Sequence, residues 1–371
     1  MKIGLSNSIL RKLFSFLLAT LFGSAALAAS KPVKVLFIGN SYTHMNDMPK
    51  IFEKIAKSKG ADVVVEMNAK SNHTFKMHSE REDMYESIRK EKWDYIVLQG
   101  FSREMSYEKS HIDSLSTPYF DQIIDSIYQN NPCTNVMLYM TWGYENGFSE
   151  RVEVDSYDKM TNQITKGYNY FSEKYDISIS PVGHVWREIR SSSDIHLYQP
   201  DHQHPTYAGS YITACTFFAS IFKDSPFGAF SGVLKGKDAE LIQTTAYNYV
   251  SEHMEPFKLN RSYAIVKPMT GQGRKEYLVD VEAFYPNAKS IIWNFGDGTS
   301  SDSLKIAHKY EKLGEYDIEL IIEDLCGPRV YTETVSFKKS RKPWRRKSKD
   351  RPKDIIRRNR KESTNKENSL E

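Results

Sequence analysis

Ser41, Asp201 and His204 are the residues of this 371-residue chain whose types and order could do chemistry together. The apolar run Val35-Leu36-Phe37-Ile38 stops at Gly39-Asn40-Ser41. A turn of that kind lifts a hydroxyl out of the carboxyl edge of a buried strand, where the active sites of open α/β sheets lie. By itself the turn could equally be a strand-to-helix connection capped by Ser41. The second segment is Tyr198-Gln199-Pro200-Asp201-His202-Gln203-His204-Pro205. A carboxylate three residues before an imidazole can hold its Nδ1–H while Nε2 faces a nucleophile. A serine hydroxyl is a weak nucleophile until such a base takes its proton. The pattern points to acyl transfer, with Ser41 as nucleophile, His204 as base and Asp201 orienting it. His202 is a rival base, but it directly follows Asp201 and cannot easily adopt the same paired geometry. His196, Asp201, His202 and His204 are also potential metal ligands. The helical His-x-x-x-His spacing of zinc peptidases is absent, and neither a metal nor a cofactor is expected.

These groups need a scaffold that brings residues about 160 positions apart to one edge. Short apolar runs alternate with helical patterns. Strands are expected at Val33–Ile38, Val63–Met67, Trp93–Leu98, Val136–Met140 and Ile177–Val182. Helices are expected at Met48–Lys59, Met77–Glu91, Pro118–Gln129, Ser156–Tyr175, Pro205–Phe222 and Asp238–Met254. Such alternation implies βαβ units and a parallel sheet. Five strands suggest the flavodoxin-like order 2-1-3-4-5, a three-layer α/β/α fold with the turn after strand 1 at the switch point. Beyond Glu255–Ser262 the pattern changes. Leu278–Phe284, Ser290–Phe295, Tyr316–Glu323 and Val330–Phe337 read as strands separated by Gly/Asp/Ser turns, a small immunoglobulin-like β-sandwich.

Residues 1–29 read as a secretory signal: Lys2, Arg11 and Lys12 precede an apolar run, and Ala26-Leu27-Ala28 offers a cleavage site. A secreted or periplasmic protein is expected. The expected organisation is signal 1–29, catalytic domain 30–256, sandwich 263–338 and tail 339–371. From Lys338 onward there are 15 Lys/Arg against 5 Asp/Glu, which leaves 36 Lys/Arg against 42 Asp/Glu in the first 337 residues. The folded part is therefore mildly acidic, which gives no support to nucleic-acid binding. The basic tail has little core-forming content and could contact an anionic surface. The three cysteines, Cys133, Cys215 and Cys326, are far apart and odd in number, and are expected as buried apolar thiols, with a single bridge as the alternative.

The motifs Phe37–Thr43 (FIGNSYT), Leu98–Ser102 and Asp201-x-x-His204-Pro205 resemble the SGNH (GDSL-like) hydrolase superfamily, in a secreted bacterial branch, over about Lys31 to Met254. The resemblance implies metal-free ester hydrolysis through an acyl-enzyme on Ser41. It also implies an oxyanion hole made by the Ser41 N–H with donors from the segments after strands 2 and 3, where Ser71, Asn72 and Gln99 stand. Tyr42 and Trp142 fall near the same edge and could stack on sugar rings. Trp293–Thr299, His308-Lys309-Tyr310 and Gly314-Glu315-Tyr316 resemble a PKD domain, a spacer or surface-binding module. The reading is a monomeric esterase for an acylated carbohydrate or other small ester, most plausibly an O-acetyl group. The alternatives are a non-catalytic glycan- or surface-binding protein, and a lipase or phospholipase of the same fold.

Overall fold

The computed structural model describes residues 32–260, 263–269, 277–285 and 288–338. Residues 1–29, expected as a signal, and 339–371, expected as a basic tail, lie outside the described residues. Five parallel strands carry the first domain: β1 Val33–Gly39, β2 Val63–Ala69, β3 Tyr95–Leu98, β4 Asn135–Tyr139 and β5 Ser178–Ser180, in the order β2-β1-β3-β4-β5. The sheet is the flavodoxin-like one expected from the alternation. β1 pairs with β2 on one side and β3 on the other, so its carboxyl end is the switch point. Val35, Leu36, Phe37 and Ile38 are buried, as a central strand covered on both faces requires.

The helices are α1 Ser41–His44, α2 Met48–Ser58, α3 Phe75–Ser79, α4 Glu82–Arg89, α5 Lys109–Leu115, α6 Thr117–Asn130, α7 Tyr157–Tyr175, α8 Val182–Ser192, α9 Tyr207–Phe222 and α10 Gly236–Glu252. α2, α8, α9 and α10 pack together on one face of the sheet, and α3 to α7 cover the other. α9 is apolar nearly all round, and every residue from Ala208 to Ile221 is buried, as a helix enclosed between a sheet and other helices must be. Two expectations are corrected here. The helix expected over Met77–Glu91 is split into α3 and α4, because Glu80 leaves the helix and Arg81 is extended (φ −108°, ψ 116°). The strand expected to run to Val182 stops at Ser180. Pro181 stands at the N-cap position, and Val182 begins α8 with Val185, Trp186 and Ile189 buried.

The second domain is a sandwich of two antiparallel sheets. Its strands are β6 Tyr263–Met269, β7 Tyr277–Phe284, β8 Ala288–Asn294, β9 Ser300–Ser301, β10 Lys305–Tyr310, β11 Gly314–Asp324 and β12 Gly327–Phe337. One sheet has the order β10-β7-β6 and the other β12-β11-β8-β9. Trp293, Phe295, Tyr310, Ile318 and Leu320 fill its core. Gly296 (φ 74°) and Gly298 (φ 90°) make the turn around Asp297, whose carboxylate accepts from Thr299 N–H (3.0 Å) and contacts His308 Nε2 (2.8 Å). Asp297 is thus a turn-holding residue.

The expectation of buried thiols holds for Cys215 and is corrected for the other two cysteines, which form the alternative single bridge. Cys133 and Cys326 form a disulfide (Cα–Cα 5.7 Å), and only Cys215 among the described cysteines is a buried free thiol. The bridge joins the turn between β11 and β12 to the loop just before β4. It lies at the amino edge of the parallel sheet, opposite the edge that carries Ser41. The partners are 193 residues apart and belong to different domains, so only tertiary packing brings them together. Replacing both with Ser is expected to lower unfolding stability by about 2–5 kcal/mol. Calorimetry should show the sandwich melting earlier than in the oxidised protein; an unchanged trace would contradict a clamp between the domains.

Candidate active site

Ser41 is placed by a turn with little freedom. Gly39 ends β1 where a Cβ would stand 2.2 Å from Thr43 Oγ1 and 2.7 Å from Gln99 Oε1, so the position takes glycine. Asn40 caps α1. Its Oδ1 accepts from Tyr42 N–H (3.1 Å), and its Nδ2 donates to the Gly100 (3.1 Å) and His73 (3.4 Å) carbonyls. One side chain therefore ties the Ser41 turn to the loops after β2 and β3. The backbone N–H of Ser41 has no partner among the described residues.

The other half is a tight loop closed by the Tyr198–Pro205 bridge and by Gln199 N–H donating to the His204 carbonyl (2.8 Å). Asp201 Oδ1 accepts from the N–H groups of Gln203 and His204 (3.0 Å each), and Oδ2 lies 2.5 Å from His204 Nδ1. A carboxylate facing Nδ1 requires the proton there, so Nε2 accepts from the Ser41 hydroxyl at 2.8 Å. Partial burial raises the Asp201 carboxyl, but the bonds from the His204 ring and from both backbone N–H groups outweigh it and hold the group below its ordinary range. His202, the rival base, has a left-handed backbone (φ 62°) and pairs with Glu145 (2.6 Å). The structure thus joins Ser41, His204 and Asp201 in one hydrogen-bonded chain. Among the described residues no group of three or more His, Cys, Asp or Glu is arranged to hold a metal ion.

Two side chains that the sequence did not single out hold this arrangement. Asn46 Nδ2 reaches the carbonyls of Pro205 and Thr206 (3.1 Å each) and Ser210 Oγ (2.9 Å), fastening the Ser41 segment to the His204 loop. Its left-handed backbone (φ 53°), tolerated by Asn, is the only local signal. Glu104 is buried, and it accepts from the N–H groups of Phe101 (2.9 Å) and Phe75 (3.2 Å) and from Ser116 Oγ (2.9 Å). It links the loop after β3 to the one after β2.

The remaining expected site residues divide. Tyr42 borders the cleft and meets the His204 ring edge-on at 5.6 Å. Trp142 does not line the cleft and is corrected to a support. It is fully buried, stacked between Tyr42 (4.5 Å) and Trp186 (3.8 Å), and its Nε1 donates to the Gln203 carbonyl (3.2 Å). Gln99 is corrected likewise. Its Oε1 accepts from Asn40 N–H and Thr43 Oγ1 (2.9 Å each), its Nε2 donates to the Gly100 carbonyl, and the buried side chain does not line the cleft. Ser71 is exposed beside the cleft, with its hydroxyl 2.8 Å from His44 Nε2. Asn72, in the left-handed region (φ 62°), does line the cleft. The space in front of Ser41 is a cleft of about 220 Å³ bounded by Asn72, Phe101, Ser102, Arg103, Tyr144 and Phe148.

Comparisons with known proteins agree with this architecture. The family model described as PKD domain matches residues 276–338. Collagenase ColA of Clostridium perfringens is 42% identical over 50 residues, which is 14% of this chain and 4% of that protein. The chain thus spans a small fraction of that relative. Among solved structures, a DUF4886 family protein from Bacteroides uniformis is 19% identical. The match covers 59% of this chain and 95% of that one, with a TM-score of 0.50. Axe2, an acetylxylan esterase from Geobacillus stearothermophilus, is 15% identical, covering 51% and 93%, with a TM-score of 0.38. At such identities the first likeness speaks for the fold, and the second carries no argument. Another solved structure, described as a putative SGNH hydrolase from Slackia heliotrinireducens, is 20% identical, covering 50% and 97%, with a TM-score of 0.42.

Proposed function

We propose that this protein is an exported serine esterase that removes small acyl groups, acetyl foremost, from a carbohydrate. The observation that carries the reading is the chain Asp201–His204–Ser41 opening on a cleft. Asp201 fixes the imidazole. Nε2 takes the Ser41 proton as Oγ adds to the ester carbonyl carbon, and the oxyanion that forms meets the unpartnered N–H of Ser41 and the adjoining Asn72. The imidazolium then gives its proton to the departing alcohol, the C–O bond breaks and an acyl-Ser41 remains. A water that loses its proton to Nε2 adds to the acyl carbon. Collapse returns the hydroxyl to Ser41 and releases the acid.

A small acyl group is favoured because the cleft is short and its wall carries Asn40, Asn72, Ser102 and Gln203, not the apolar channel a long acyl chain needs. Export is supported by the amino-terminal signal pattern and by the Cys133–Cys326 bridge, since disulfides persist in oxidising compartments. The PKD module serves as a spacer or surface contact in this reading.

The test is a screen of 4-nitrophenyl esters of increasing length and of acetylated polysaccharides, with Ser41→Ala as control. Turnover of acetyl esters, falling as the acyl chain lengthens and absent in the variant, is the expected result. Rates that rise beyond about eight acyl carbons would point to a lipase. No turnover of any ester would leave only a binding role.

A further inference from the structure

One charged group in the cleft is not used by the chemistry above. Arg103 follows Ser102 in the loop after β3 and lines the same cleft as Ser41 and His204. Its guanidinium carbon lies 4.2 Å from the Phe148 ring centre and 5.3 Å from that of Phe101. Its Nε is buried without a hydrogen-bond partner. Among the described residues, no carboxylate pairs with this guanidinium and no carbonyl or hydroxyl accepts from it.

Arg187 Nε is likewise buried without a hydrogen-bond partner, but each of the other described arginines has at least one polar partner elsewhere on its guanidinium. Arg81, Arg89 and Arg329 pair with Asp83, Glu82 and Asp324. Arg151, Arg187 and Arg190 donate to Ser106, Asn162 and the Glu145 carbonyl. A guanidinium has five N–H donors and no acceptor, so leaving it partly buried and unmatched has a cost that aromatic faces offset only in part. A ligand carboxylate matches its fork with two charge-assisted bonds.

We propose that Arg103 selects substrates bearing a carboxylate close to the acyl ester, so that the substrate class is an O-acylated acidic sugar such as a uronic acid. The inference rests on the esterase reading of the same site. Among the described residues, Arg103 is the only Lys, Arg, Asp or Glu on the cleft wall, so the site offers one fixed positive charge, matched by one carboxylate. The folded part of the chain is net acidic, which disfavours more highly charged substrates.

The decisive comparison is kcat/KM for an acetylated methyl galacturonide against the equally acetylated methyl galactoside, which differ in the carboxylate. The full-length wild-type enzyme should prefer the uronide by about 10- to 100-fold, the range of a hydrogen-bonded charge pair. The preference should weaken at 1 M salt. In Arg103→Gln the ratio should fall towards one, and in Arg103→Lys it should lie between. The lysine variant keeps the test valid if the glutamine variant melts early. A wild-type ratio near one, or a ratio retained in Arg103→Gln, would overturn the proposal.

Binding of the deacetylated pair, followed by ligand-observed NMR, separates this inference from the esterase reading. If wild type turns over neither ester, the esterase reading fails. Uronide binding that is stronger than galactoside binding and is lost in Arg103→Gln would still support the anion site; equal binding would overturn it.

Discussion

Removing Ser41 and His204 together is expected to cost no more turnover than removing either alone. Each alanine variant should lose about 10⁴- to 10⁶-fold in kcat, the scale seen when a nucleophile and its base act as a unit. The reason lies in the geometry. Ser41 Oγ has one base within reach, His204 Nε2 at 2.8 Å, and that imidazole has one role in the site. Asp201→Asn should lose about 10⁴-fold for a different reason. The asparagine would still accept the N–H groups of Gln203 and His204 at Oδ1 but would present NH₂ to Nδ1. The imidazole would then carry its proton on Nε2 and could not accept from Ser41. Because hydrogen bonds hold Asp201 below the ordinary carboxylate range, the aspartate stays ionised through the neutral and mildly acidic range. Steady-state hydrolysis of 4-nitrophenyl acetate by the two single variants and the double variant checks this. Multiplicative losses would contradict a coupled pair.

The second large effect concerns Glu104. Burial pushes its carboxyl up to about 7, against the opposing hydrogen bonds from Phe101, Ser116 and Phe75. The folded protein therefore holds this proton more tightly than the unfolded chain. Stability attributable to Glu104 is greatest below the ordinary carboxylate range. It falls as pH rises from about 4.5 to about 7, and the full penalty stands above that window. Its size is on the order of 3 kcal/mol. Glu104→Gln keeps an acceptor for the Phe75 and Phe101 N–H groups, and Ser116 can turn to accept from the amide. This variant should lose the pH dependence, so urea unfolding at pH 5 and pH 8 should separate it from wild type by that amount. Parallel curves would contradict it. Glu104→Ala should be worse at every pH. It strands two buried N–H groups at about 1–3 kcal/mol each and frees the loop that carries Ser102 and Arg103, so turnover should drop as well.

The contrast between what could and could not be read from sequence follows from the range of the interactions. β1 and the turn to Ser41 are local: an apolar run, a glycine that nothing larger could replace, and a cap. Asp201 and His204 lie three residues apart, so one turn defines their pairing. Alternation implies the parallel sheet, and the doubly wound pattern of five strands suggests their order. Asn46, Glu104 and Arg103 left no such trace, because each acts on segments that only the fold brings near. The Cys133–Cys326 bridge is the extreme case, since its partners meet only when the sandwich packs against the sheet. Gln99 and Trp142 were assigned to the right edge but to the wrong side of it. Residue type gives chemistry, but the direction a side chain takes depends on packing. Gln99 turned inward to hold Asn40 and Thr43, and Trp142 joined a buried stack. The edge strands β6, β9 and β10 carry weaker signals, because β6 contains Lys267 and Pro268, β9 is two residues long, and β10 turns Ala307 outward between Lys305 and Lys309.

The central claim is that Ser41 is a nucleophile activated by His204. A fluorophosphonate, which phosphonylates only an activated serine, tests it without knowledge of the substrate. Peptide mass spectrometry of the treated full-length protein should find a single adduct on Ser41, strongly diminished in His204→Ala and absent in Ser41→Ala. No adduct in wild type, an adduct on another residue, or equal labelling in His204→Ala would contradict it.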